Sequence, residues 1–486
     1  MTVIFVVCLA VWICVLIYWR EKLVESQGHP LPPMYPGYLP IIGHSYMLLT
    51  GTSNLWNRLK NMCEYSIQQG GVMVCKFGFD IYYVISDPED ALVAANTCLD
   101  KHYLYSFAKY WLGEGLITGS GEHWHRHRNK LKTAFSQSII NGYLEVFNSQ
   151  SKTLLTSLED SLRKGSFYPI QHLKDFTFRI SYITIFGKTV SDDQKFTQYV
   201  KGVDAILNLE MERIQKFWLH NDLIHNLLGY KKKENELAQC LNKISDEIIK
   251  TKRAILNKET DKLTYVPFQP LINHMLEQSN PFNDQEISEE LHTAMTASFD
   301  ITSRALQTIL VMIGSFPKVQ ERMYEEIMQV VGKERDVDKD DLRKLIYTEA
   351  VIKESLRLIP PAPLIARYID KDVKLKNYTM RAGSQCFIML YGLERNSSWG
   401  PDANQFRPER WLDSATLPPY STLDGFFSIG KRSCVGKTWA LSALKIALSH
   451  ILRKFVISAD YTKLKFQIEI ILEASSGHDI SLELRS

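Results

Sequence analysis

The chain opens on 19 residues, Met1 to Trp19, without a charged side chain, and the first cations, Arg20 and Lys22, follow at once. At 1.5 Å per residue such a helix spans about 28 Å, close to the thickness of a bilayer core. A secretory leader would carry a basic residue before the apolar run and a small-residue cleavage site after it; neither stands here. The pattern therefore predicts a transmembrane signal-anchor over 1–19 rather than a buried core helix, and the cations on its exit side place the remainder in the cytosol. Residues 20–43 are basic and then proline-rich, with Pro30, Pro32, Pro33, Pro36 and Pro40. Fixed φ angles hold such a stretch extended, which predicts a stiff linker. From 44 to 486 there is no repeat, low-complexity tract or second linker, so one domain is expected there.

Within that domain, Val72 to Ser86 reads as two strands about a Gly78-Phe79-Asp80 turn, ended by Asp87-Pro88. Most later segments carry the helical period. The longest runs from Asn283 to Ser315, with Asn283 and Glu286 spaced as a capping box. Its apolar residues lie on several sides, so it should cross the core rather than lie on it. Another apolar helix is expected over Lys437–Phe455. The fold class is mainly α with small β-sheets.

Composition narrows the function classes. The 57 Lys+Arg against 54 Asp+Glu leave a net charge of only +3, so no bulk positive field suggests a nucleic-acid partner. The eight cysteines include no CxxC pair and are thinly spread, against both a disulfide scaffold and a structural zinc site.

The strongest chemical signal is Phe427-Ser-Ile-Gly430-Lys-Arg432-Ser-Cys434-Val-Gly436, an FxxGxRxCxG pattern leading into the Lys437 helix. The glycines allow the backbone to turn sharply and pass close under a flat ligand. A cysteine at a helix N-terminus has its thiolate stabilised by the dipole and the free N–H groups. On these residues the chain resembles a microsomal cytochrome P450, a heme-thiolate monooxygenase, and the likeness runs from the anchor to the C-terminus. The resemblance makes Cys434 the axial thiolate of a heme b iron, with Phe427 beside its sulfur.

Other motifs follow in that family's order. Glu354-Ser-Leu-Arg357 matches ExxR, whose i, i+3 spacing sets both residues on one helix face. Phe406-Arg-Pro408-Glu-Arg410-Trp411 resembles the family's meander, with Trp411 where phenylalanine is usual. Arg410 is expected to complete an ion-paired triad with Glu354 and Arg357. Trp124-His-Arg-His-Arg128 matches WxxxR, and the resemblance assigns Trp124, Arg128, Arg367 and Arg432 to the heme propionates. Arginine's planar fork suits carboxylates. The rival reading of this stretch is a metal site at His123, His125 and His127, which would share one face of a strand but diverge on a helix.

Ala297-Ser298-Phe299-Asp300-Ile301-Thr302 stands where the family reads (A/G)GxDTT. Ser298 replaces the usual glycine. Ile301 replaces the threonine whose hydroxyl holds the proton-donating water, which leaves Asp300 as the proton relay and Thr302 or an ordered water to substitute for that hydroxyl. The segment from Phe217 and the GEHWHRHR stretch resemble insect family-4-type members. Many of those carry a glutamate three residues before the acid that esterifies heme; Ala297 stands there, so a non-covalently held heme is expected.

The resemblance also implies partners: an NADPH-cytochrome P450 reductase, with cytochrome b5 as a further donor, docking on a patch of Arg126, Lys130, Lys431 and Lys437. Phe217 to Leu228, apolar and followed by Lys231-Lys232-Lys233, suits a membrane interface. Substrate contacts are expected from Tyr103–Ile117, Met295, Phe299, Pro363–Ile365 and near Gly477. The expected function is single-pass, endoplasmic-reticulum-anchored insertion of one oxygen atom from O2 into a lipophilic substrate. A heme-thiolate isomerase or dehydratase of lipid peroxides, and a heme protein that binds without turnover, are the alternatives.

Overall fold

The run at Val72 folds as a hairpin buried on both faces, with Val72, Val74 and Tyr83 in one apolar cluster and Met73, Cys75 and Tyr82 in another, and the helical runs wrap what the hairpin begins. The computed structural model describes residues 30–162, 165–188, 193–257, 268–278, 281–418 and 423–485. The anchor expected over 1–19 lies outside them, and among the described residues no helix is long and apolar enough to cross a membrane. The principal helices are α1 (Thr52–Gln68), α2 (Pro88–Thr97), α3 (Gly121–Leu131), α4 (Leu144–Glu159), α5 (Ile170–Phe186) and α6 (Asp193–Gln215). After them come α7 (Tyr230–Asn257), α8 (Asp284–Ser315), α9 (Pro317–Val330), α10 (Ile346–Leu358) and α11 (Lys437–Lys454).

The main sheet has the order β1-β2-β6-β3, from β1 (Val72–Phe77), β2 (Asp80–Ile85), β3 (Ile365–Tyr368) and β6 (Gln385–Ile388). β1 and β2 pair antiparallel as Val72↔Ile85, β2 runs parallel to β6, and β3 returns antiparallel with Arg367 opposite Cys386. Paired strands β4 (Val373–Lys374) and β5 (Thr379–Met380), β8 (Lys465–Ile468) and β9 (Leu472–Ser476), and β7 (Phe455–Ser458) with β10 (Ser481–Leu484), form three small two-stranded sheets.

The linker expected to run to residue 43 joins the globule earlier. Val74 N donates to Pro33 O at 2.9 Å, Tyr35 N donates to Val74 O at 2.8 Å, and His44 N donates to Lys76 O at 2.6 Å. A proline lacks the N–H but keeps its carbonyl, so a stretch with non-proline donors between its prolines can still edge a sheet.

α8 begins as its sequence predicts. Asn283 Oδ1 accepts the Glu286 N–H at 2.9 Å, and Glu286 Oε2 accepts the Asn283 N–H at 3.0 Å. From Ile287 onward its buried residues face every direction, because α5 packs along one side and α9, α10 and α11 close the others. Phe147, Ile180, Leu306, Ile327, Val351 and Leu448, from six helices, meet in the largest apolar core. A second core, with Phe178, Val203, Ile249 and Leu291, fills the space beneath α6 and α7.

Candidate active site

Three buried charges brace the centre. Glu354 and Arg357, one turn apart on α10, are bidentate at 2.8 and 2.9 Å, and Arg410 Nε reaches Glu354 Oε1 at 2.9 Å. None of the three is more than 1% exposed. Burial would raise the Glu354 carboxyl, but Arg357, the Arg407 N–H and Arg410 outweigh it and hold the group below its ordinary range. Trp411 has a reason of its own: its Nε1 donates to Glu354 Oε2 at 2.9 Å, a bond that phenylalanine could not make.

Arg357 ties this triad to the chain around it by donating to the carbonyls of Glu394, Ala403 and Gln405. Downstream, the Phe427–Gly436 loop is closed by the Cys434 N–H on Phe427 O at 2.8 Å, which brings Phe427 beside the cysteine. Gly430 adopts φ +71°, and a Cβ there would stand 2.8 Å from that of Ala95 on α2, so the position requires glycine. Asp424 and Ser428 hold φ of 61° and 66°, where non-glycine residues cost about 1–3 kcal/mol each and persist only where packing enforces them. Burial pushes the Cys434 thiol up, against the Gly436 N–H, Arg128 and Lys437. The side chain nonetheless keeps accessible surface.

The predicted propionate residues converge. Arg432 lies 4.1 Å over the Trp124 ring and donates Nη2 to Gly119 O at 2.7 Å, while its Nε and Nη1 are buried without a partner. Arg367, 1% exposed, spends Nη1 on the Ala366 carbonyl and leaves Nε unpartnered. Burial, Arg367 and Arg128 together lower Arg432 to about 9, against Asp100 and Tyr105. Arg128 is close enough to Cys434 for their charges to interact. Lys101, bridged to Arg367 across the backbone, joins them; burial, Arg367 and Arg432 hold its amine well below the ordinary value. Sequence reasoning missed Lys101, which belongs to no motif and whose only signal is its charge. Buried cations with orphaned nitrogens and little acid beside them fit a dianionic ligand, and a thiol at the same centre fits heme iron.

A cavity of about 780 Å³ reaches β3 at Ala366, next to Arg367. α8 gives it Thr296, Ala297, Asp300 and Ile301, the strand region Pro363, Leu364 and Ala366, and the expected Tyr103–Ile117 segment gives Trp111 and Leu112. Ile301 faces this cavity, whereas Thr302, 5% exposed, does not line it; nor do Met295, Phe299 and Gly477. Asp300 is tied by Arg304 Nε at 3.2 Å and Lys174 Nζ at 3.5 Å, and Arg304 is itself paired with Glu473. Ser298 Oγ turns back onto Met295 O at 3.1 Å. Glu210 also lines the wall; burial pushes its carboxyl up to about 8, although Trp111 donates to it at 2.6 Å.

Around the cavity mouth, Ile41, Ile42, Leu49 and Phe217 are exposed, and the short helix Asp222–Leu227 adds Leu223 and Leu227, 74% and 85% exposed. Leu219, expected in this apolar face, is buried instead, because Arg213 fastens to its carbonyl at 3.2 Å. The predicted basic patch is thinner than its sequence suggests: Arg126 pairs with Glu286 and Lys437 with Asp424.

The sequence profile of the cytochrome P450 family matches residues 32–475. Cytochrome P450 4c21 of Blattella germanica is 28% identical over 503 residues, 100% of this chain and 99% of the relative. Cytochrome P450 4c3 of Drosophila melanogaster is 28% identical over 93% of this chain and 89% of its own. Cytochrome P450 4V2 of Homo sapiens is 27% identical over 95% and 91%.

Proposed function

The chain belongs to the cytochrome P450 family and is a heme-thiolate monooxygenase, and from that premise we propose that it inserts one oxygen atom of O2 into a lipophilic, membrane-partitioned substrate. The observation that carries the reading is the meeting of Cys434 with buried cations that lack acceptors, next to an apolar-lined cavity. Bound heme supplies the one-electron and O2 chemistry, and a thiolate ligand favours O–O cleavage. In this reading Cys434 ligates the iron, Phe427 shields its sulfur, and Trp124, Arg128, Arg367 and Arg432 hold the propionates, with Lys101 added. Ala297, which has no carboxyl to esterify, leaves the heme non-covalently held. The apolar wall orients substrate and excludes water.

Asp300 is the acid that moves a proton toward the cavity. Of its two partners Lys174, at 3.5 Å, is the looser. Ile301 offers no hydroxyl, and Thr302 stands outside the wall, so Asp300 and ordered water carry the proton. Electrons come from NADPH through a membrane reductase, with cytochrome b5 as a second donor. The catalytic domain sits on the cytosolic face of the endoplasmic reticulum, held by a single anchor over 1–19 and by the apolar rim of the cavity.

The test supplies purified protein with reductase, NADPH, isotopically heavy O2 and a lipid extract. A product carrying the label is expected. Turnover of a lipid hydroperoxide without NADPH, and no labelled product, would replace monooxygenation by peroxide isomerisation. A substrate-induced spin change with neither product would leave a binding protein. Cys434→Ala should abolish the thiolate-type spectrum of the reduced carbonyl complex, and its survival would overturn the ligand assignment.

A further inference from the structure

Helix geometry separates the alternating histidines of α3. His125 is exposed beside Trp124, whereas His123 and His127, one turn apart, lie against each other with ring centroids 4.0 Å apart and planes tilted by 35°. Opposite them stands Glu286, in the first turn of α8. One ligand atom from each of His123, His127 and Glu286 lies within 4.8 Å of the others. His127 Nε2 and Glu286 Oε1 are already 3.5 Å apart, near the edge of roughly 3.3 Å that a tetrahedral zinc site requires.

Two observations separate this cluster from an ordinary hydrogen-bonded surface. His127, fully buried, has its Nδ1 2.7 Å from Oε1 of Glu290, a carboxylate 2% exposed. With Nδ1–H donating there, Nε2 is the acceptor, and it faces the Glu286 carboxylate across the Arg126 guanidinium, which bonds both. A buried carboxylate orienting an imidazole is also the usual support of a metal-bound histidine. Second, His123 Nε2 is buried and has no hydrogen-bond partner.

We propose that His123, His127 and Glu286 bind a divalent transition-metal cation, zinc by the chemistry of two imidazoles and a carboxylate, and that the ion fastens α3 to the first turn of α8. Arg126 is the competitor. Its guanidinium holds Glu286 and stands 3.2 Å from His127 Nε2, but its side chain is 41% exposed and can swing into solvent. A water completes the coordination from the part-exposed side of His123. The site stands apart from the heme centre, although α3 also carries Trp124 and Arg128, so the ion would stiffen the helix that presents them.

The experiment strips the purified holoenzyme with chelator, then titrates it with zinc against a chromophoric competitor. One equivalent per chain at micromolar free zinc is expected, with a raised unfolding temperature. X-ray absorption at the zinc edge should show imidazole nitrogens at about 2.0–2.1 Å. His123→Ala, which breaks no hydrogen bond, and Glu286→Gln should each weaken binding tenfold or more, whereas Arg126→Ala should tighten it and His125→Ala should leave it unchanged. Glu290→Gln should weaken it roughly 10–100-fold. The heme spectrum of each variant reports whether it has folded. No bound equivalent in the folded wild type, or an equivalent that folded His123→Ala retains at full affinity, would overturn the site.

Discussion

At the residue scale, the centre depends on side chains that no single motif joins. Lys101, Arg367 and Arg432 are three cations whose charges oppose one another until an anion neutralises them. Lys101→Ala should therefore act in opposite directions on the two forms of the protein. The heme-free protein should gain stability, since one buried like charge is gone. The loaded protein should release heme to a scavenger roughly ten- to a hundredfold faster, the equivalent of about 1.5–3 kcal/mol for a charge-assisted bond. Chemical denaturation of the first and heme transfer from the second check the pair, and a fall in both would mean a merely structural lysine. Ile301, which faces the cavity, invites the complementary change. Ile301→Thr should raise product formed per NADPH consumed, as the new hydroxyl holds a proton-donating water; an unchanged ratio with a good substrate would remove proton delivery as the consequence of Ile301.

At the element scale, α10 is held to the meander by the Glu354 triad. Removing one partner of a buried ion pair leaves the other charge uncompensated, so Glu354→Ala should destabilise the fold by about 3–5 kcal/mol. Trp411→Phe should cost only about 1 kcal/mol, since Glu354 Oε2 keeps its bond from Arg357. Equilibrium denaturation measures both. The pH dependence has a definite sign. Glu354 is depressed from its ordinary 4.5 in the folded state, so its contribution is present above that value and is lost as the pH falls through and below it. Wild type should lose stability in that acid window, and Glu354→Gln should flatten the loss.

At this scale the sequence was readable where the signal was local. The Val72–Ser86 hairpin, the Asn283–Glu286 capping box and the ExxR turn each lie within one element, and each folds as its spacing predicts. The linker was not readable, because Pro33 and Tyr35 are set by β1, which arrives some forty residues later by long-range pairing. Nor was Leu219, whose burial rests on Arg213 closing over its carbonyl.

At the scale of the whole molecule, the apolar rim at Leu223 and Leu227 and the cavity mouth share one side. A substrate dissolved in lipid would then enter without crossing water. Leu223→Asp with Leu227→Asp should lower partitioning of the protein onto phospholipid vesicles roughly a hundredfold or more, each lost leucine removing about 1.5–3 kcal/mol of apolar burial, while the heme spectrum stays intact. Equal partitioning of the variant would move the membrane contact elsewhere.

By itself the sequence determined the helical class, the cysteine loop and the ion-paired turn, because periodicity and close spacing are fixed by backbone geometry within one element. Only the tertiary structure decided that Lys101 joins the arginines, that Ile301 and not Thr302 faces the cavity, and that Glu286 closes on His123 and His127. Those pairings join residues far apart in the chain, and their partners are chosen by how whole helices pack, which no local spacing encodes.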